Sequence, residues 1–87
     1  MINIYVANLP YTVTEAQLVD CFSHYGTVEK VQIIRDHDTG QSRGFAFVEM
    51  LNDREAAAAI ADLNGKNWDG RRILVEPARG TRAAGRS

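Results

Sequence analysis

The chain has 87 residues, 45% hydrophobic and 24% charged, which leaves room for one compact core and excludes a second fold, most large enzyme scaffolds, and the compositions of disordered or coiled-coil proteins. A formal net charge of -1 taken alone argues against a polyanion partner. The charge is unevenly distributed, however: residues 1–70 hold five basic and ten acidic side chains, whereas residues 71–87 hold five arginines against Glu76, and this split points to a polyanion near the C-terminal strand and tail.

Residues 4–8 form a β-rich run that ends near Pro10, which predicts a first strand. A helix follows. Thr14 and Gln17 have the spacing of a capping box and Val13 and Leu18 that of a hydrophobic staple. Leu18, Phe22 and Tyr25 form one apolar stripe, and Gly26 is expected to supply a left-handed stop. Period two returns over residues 28–35, with Val31 and Ile33 on one face and Lys30, Gln32 and Ile34 on the other. The polar segment 36–43 is a loop, and residues 44–50 are a third strand. Asn52 to Glu55 opens a second helix with a box-like cap, its stripe being Ala56, Ala59, Ile60 and Leu63 before Gly65. Asp69-Gly70 signals a tight hairpin between residues 66–68 and 72–76, and the last strand ends at Pro77. Residues 79–87, rich in Arg, Gly and Ala, show no periodicity and are expected to form a flexible tail.

The order β, α, β, β, α, β predicts an α+β, ferredoxin-like sandwich, in which right-handed crossovers place both helices on one face of a four-stranded antiparallel sheet. The other face has no cover. If Ile4, Val6, Ala46, Val48 and Met50 point toward the helices, then Asn3, Tyr5, Phe45, Phe47 and Glu49 point away. Leaving three rings half wet forgoes roughly 2 kcal/mol each of burial energy. An apolar patch of that size marks a binding surface. Flat rings interleaved with Asn3, Lys30, Gln32, Arg43 and Arg72 suit unpaired bases, with the polar groups taking base edges and phosphates.

Two segments carry a family likeness. Ile4-Tyr5-Val6-Ala7-Asn8-Leu9 resembles the hexamer motif of the RNA-recognition-motif family, and Arg43-Gly44-Phe45-Ala46-Phe47-Val48-Glu49-Met50 resembles its octamer motif. Met50 stands where an aromatic is usual, at a position that alternation turns inward. The resemblance covers residues 2–78 and implies that Tyr5 and Phe47 stack on successive bases, that Phe45 packs on the sugars between them and that Arg43 pairs with a phosphate. Glu76 of the last strand and Arg79 of the basic tail join Asn3, Lys30, Gln32 and Arg72 as candidate contacts to base edges or phosphates. The chain is most similar to the short single-domain RNA-binding proteins of bacteria and organelles. That implies a domain at residues 1–78, a monomer, single-stranded RNA as partner and a role as RNA chaperone or post-transcriptional regulator. Single-stranded DNA is a further candidate ligand, because stacking ignores the sugar. A protein partner on the acidic helices (Glu15, Asp20, Asp53, Glu55, Asp62) is another.

The remaining chemistry-bearing residues read as structural. His24 and His37 stand apart from any Cys or carboxylate set at ligand spacing, so no metal and no cofactor are expected. Asp36 and Asp38 shape their loop, and Trp68 packs at the sheet edge. No nucleophile with a base and no phosphate-binding glycine loop appears, so no enzymatic activity is expected. The single cysteine, Cys21, points to a reducing compartment, the cytoplasm by default. No run approaches the ~20 apolar residues of a membrane span.

Overall fold

The computed structural model describes residues 2–78. The elements are β1 (Ile2–Ala7), α1 (Glu15–Ser23), β2 (Val28–Arg35), β3 (Ser42–Met50), α2 (Asp53–Leu63), β4 (Asn67–Trp68), β5 (Arg71–Arg72) and β6 (Leu74–Pro77). Four strands make one antiparallel sheet in the spatial order β2-β3-β1-β6, and β4 and β5 form a separate two-stranded ribbon. The expected sandwich is therefore present. α1 packs against β2, and α2 packs against β1, β3 and β6.

Alternation on the central strands places the core. Ile4 and Val6 of β1 and Ala46, Val48 and Met50 of β3 are fully buried, and they join Leu18, Phe22, Ala56, Ala59 and Leu63 of the helices in one cluster. Ala56 and Ala59 have short side chains, which lets α2 lie close to the sheet. Ile60 corrects the expected stripe: it is only half-buried and packs at the rim of the core. α1 starts as expected. Thr14 Oγ1 accepts from the Gln17 N–H at 3.2 Å while Gln17 Oε1 accepts from the Thr14 N–H at 2.9 Å, so two otherwise orphaned donors are satisfied. At α2, half of the box forms. Asn52 Oδ1 accepts from the Glu55 N–H at 3.0 Å, but the Glu55 carboxylate turns to the Thr27 N–H at 3.4 Å.

That turn of Glu55 explains Gly26, whose role differs from the expected one. α1 ends at Ser23 with His24 in the α conformation, and Gly26 does not take a positive φ. A Cβ at Gly26 would instead collide with the Glu55 side chain. Tyr25 accordingly lies beyond the helix, yet it still packs against the core, and its hydroxyl donates to Asp62 on α2. At the end of α2 the left-handed residue is Gly65, with φ 84°.

The last hairpin is also arranged differently. Asp69 (φ 49°) and Gly70 (φ 89°) make the expected tight turn, both with the positive φ that its right-handed twist requires. The strand after it is split. Arg72 pairs with Asn67 in the small ribbon, whereas Leu74, Val75, Glu76 and Pro77 pair with β1. Ile73, buried between them, donates to the Lys66 carbonyl at 3.0 Å and accepts from the Gly65 N–H at 2.8 Å. Its backbone thus serves the ribbon, while the next residue begins the sheet. β3 begins at Ser42, two residues before the expected position.

Candidate nucleic-acid interface

The outward face is laid out by register. Across the middle run Glu76 (β6), Tyr5 (β1), Phe47 (β3) and Gln32 (β2), each opposite the next. On one side of this row Asn3 and Lys30 both face Glu49; on the other, Leu74, Ala7 and Phe45 form a shorter apolar row. The Tyr5 ring lies 5.7 Å from Phe47 and 5.9 Å from Phe45, at 45° and 51°. These spacings are normal for tilted aromatic pairs, so the rings hold one another in place. All three are partly buried, each leaving a minority of its surface exposed.

Lys30 and Gln32 reach this face by regular alternation, but the strand that carries them is irregular just before Lys30. The β2–β3 register shifts between Val28 and Lys30. Strict alternation would put Val28 on the same side as Lys30, and skipping Glu29 turns Val28 toward the core while Lys30 faces out. A second shift, between Ile33 and Arg35, coincides with Gly44 at φ 87°. Phe45 itself stays in regular register opposite Ala7.

Two depressions flank Phe47. One, of about 540 Å³, is lined by Tyr5, Phe47, Glu76, Pro77 and Ala78. The other, of about 260 Å³, is lined by Asn3, Lys30, Gln32, Phe47 and Glu49. The first offers a carboxylate acceptor beside two rings. The second offers a cation, two amides and a carboxylate beside one.

Of the sequence-predicted residues, Tyr5, Phe45, Phe47, Asn3, Lys30, Gln32 and Glu76 thus gather on this face, and the three arginines are not placed among them. Arg72 belongs to the β4–β5 ribbon and not to the sheet, and its carbonyl accepts from Asn8 Nδ2 at 2.8 Å. Arg79 lies outside the described residues, as does the expected tail. Arg43 is exposed at the start of β3, and its charge acts on Asp36. N–H groups of Thr39 and Asp38 bond to Asp36 and hold its carboxyl below the usual range, with Arg43 adding to the effect. The expected role of Asp36 in shaping the loop matches these bonds.

Sequence reasoning passed over Leu74, which extends the apolar band, and three residues at the end of the sheet. Asn8, with φ 61°, bonds through its side-chain oxygen to Arg71 Nη2 at 2.7 Å. Arg71 in turn sits 5.8 Å from the centroid of the Tyr11 ring. An aromatic between Pro10 and Thr12, in a segment that is otherwise a loop, was the available signal.

Elsewhere, Trp68, expected to pack at the sheet edge, sits in the small ribbon outside the main sheet and packs half-buried against the core. With Cys21, His24, Tyr25 and Lys66 it lines a groove of about 570 Å³ between α1, the end of α2 and the small ribbon. Among the described residues, no group of three or more His, Cys, Asp and Glu could hold a metal ion, and no helix is long and apolar enough to cross a membrane.

An open antiparallel sheet with three touching rings on one face and two helices on the other defines a class of nucleic-acid-binding domain. The sequence profile of the RNA recognition motif matches residues 4–74, and the chain belongs to that family. It is 51% identical to the "Putative RNA-binding protein RbpA" of Nostoc sp. over 88% of this chain and 76% of that one. Among solved structures, RNA-binding protein PG1 superposes with a TM-score of 0.89 at 42% identity, covering 91% of this chain and 95% of that one. A Sxl-lethal protein–RNA complex superposes at 0.84 with 40% identity, over 88% of this chain and 47% of the other.

Proposed function

We propose that the chain binds single-stranded RNA across the open face of its sheet. The observation that carries this reading is the cluster of Tyr5, Phe45 and Phe47, in which the Tyr5 ring contacts both phenylalanines and all three remain partly exposed, with a depression carrying polar groups on each side of Phe47. Tyr5 and Phe47 stack on successive bases, and Phe45 packs on the sugar between them. Arg43 and Arg72 take phosphates, as does Arg79. Asn3, Lys30 and Gln32 meet base edges in one depression and Glu76 in the other, where a carboxylate suits a base presenting N–H donors. Base–aromatic stacking contributes about 1–3 kcal/mol per base, and subtracting the entropy of association leaves dissociation constants around micromolar for one domain.

A protein that binds only unpaired bases shifts RNA toward its unpaired state by mass action, which is how a chaperone or post-transcriptional regulator of this size would act. In this reading residues 1–78 are a monomeric binding domain without catalytic activity, residues 79–87 a tail that adds charge, and the free Cys21 suits the cytoplasm. Single-stranded DNA is a further candidate ligand of the same face, since stacking ignores the sugar. A protein partner would take the groove beside Trp68 on the opposite side.

Titrating the protein into labelled mixed-sequence single-stranded RNA, single-stranded DNA and duplex, followed by anisotropy and amide shifts, tests the proposal. Shifts centred on Tyr5, Phe45 and Phe47 with preference for single-stranded RNA are expected. Shifts confined to the helices, or equal affinity for duplex, would refute it.

A further inference from the structure

We infer that Tyr11 is a fourth stacking platform, taking a nucleotide of single-stranded RNA beyond the end of the sheet; this rests on the reading of the sheet face as an RNA site. Tyr11 is 66% exposed, the most exposed of the large hydrophobic side chains among the described residues. At that exposure most of the ring is open and accessible to a ligand.

The ring is held where a strand leaving Phe45 would arrive. The Leu9 N–H donates to the Gly44 carbonyl at 2.8 Å and the Val13 N–H to the Pro10 carbonyl at 3.2 Å, so the backbone is fixed on both sides of Tyr11. A Cβ on Gly44 would lie 3.3 Å from Tyr11 Cε1. The ring therefore rests beside Gly44, and the neighbouring Cα, ~3.8 Å further along the chain, belongs to Phe45.

The surroundings supply charge as well as a ring. Arg71 lies 5.8 Å from the Tyr11 centroid, held there by bonds to Asn8 Oδ1 at 2.7 Å and to the Asn8 carbonyl at 3.3 Å. A guanidinium placed so is available to a phosphate without further ordering, and it polarises the ring. Arg72 is its neighbour in the ribbon, and Arg43 precedes Gly44. An exposed aromatic plane with the Arg71 guanidinium beside it is the chemistry that receives a base with its phosphate.

The test uses mixed-sequence RNA oligonucleotides of increasing length, from the dinucleotide upward, binding to the full chain. Wild type gains affinity with each nucleotide until the one that reaches Tyr11 is added. Tyr11→Ala removes that last gain, binding long oligonucleotides about 5- to 150-fold more weakly and the shortest bound one as wild type does; Tyr11→Phe keeps the gain. Wild-type affinity of Tyr11→Ala at every length would overturn the inference, and so would an equal loss at every length, which marks a role in building the loop. If wild type bound no RNA at any length, the reading of the sheet face would fall first, an outcome distinct from either.

Discussion

Replacing Phe47 by alanine removes the ring that separates the two depressions of the open face. Phe47 stands opposite both Tyr5 and Gln32 and lines both hollows, so its loss takes away a base platform and merges the hollows into one trough. Loss of one stacked base costs about 1–3 kcal/mol, which moves a dissociation constant by about 5- to 150-fold. The same change affects stability. Burying about two thirds of a side chain of roughly 200 Å² at about 25 cal/mol/Å² comes to about 3 kcal/mol, reduced in practice because the unfolded chain is itself partly collapsed. A domain with about 5 kcal/mol or more of stability remains folded at 25 °C after that loss, so binding and folding effects are separable. Anisotropy with labelled single-stranded RNA, in parallel with a thermal melt, reads both. The expected result is a cooperative melt at lower temperature together with the weakened affinity, while Phe47→Tyr restores binding. Affinity within twofold of wild type in a folded Phe47→Ala would refute the stacking assignment.

Three further outcomes follow from other parts of the molecule. Deleting residues 79–87 should weaken binding to all sequences alike and lower the salt slope by up to about 2, since each of Arg79, Arg82 and Arg86 contributes about 0.7 at most; identical slopes would assign the basic tail to solubility. The hydrogen bond to Asp62, with desolvation and the Asp62 charge, pushes the Tyr25 phenol up to about 12. The protonated phenol is thus favoured in the fold, so its contribution is complete below pH 10 and fades as pH rises toward 12; absorbance at 295 nm should show one tyrosine ionising near 12, earlier in Asp62→Ala, and the same titration in both proteins would disprove the coupling. Gly26→Ala should destabilise by about 1–3 kcal/mol through overpacking against Glu55, whose Cβ is itself part of the clash, and adding Glu55→Gly should relieve that clash in a double-mutant cycle of melts; additive losses would show that backbone freedom at Gly26 matters instead.

Most of the fold and the centre of the site were legible in the sequence because they depend on local rules. Period two on β1 and β3 assigned Ile4, Val6, Ala46, Val48 and Met50 to the core and Tyr5, Phe45 and Phe47 to the open face, and this is where they lie. Thr14 and Gln17 are three residues apart, and Asp69-Gly70 is a dipeptide, so their geometry is encoded within one turn of chain. What remained illegible depends on partners distant in sequence. Val28 faces inward because β2 skips a residue against β3, and only the paired strand fixes that register. Gly26 is required by Glu55, 29 positions away along the chain, and the strand after Gly70 splits because Ile73 bonds back to Lys66 and Gly65. Tyr11 was an unremarkable loop residue in the sequence. It acquires an arginine and an open face only when Arg71, 60 residues later, is brought beside it by the β6–β1 pairing, a long-range contact that no local pattern specifies.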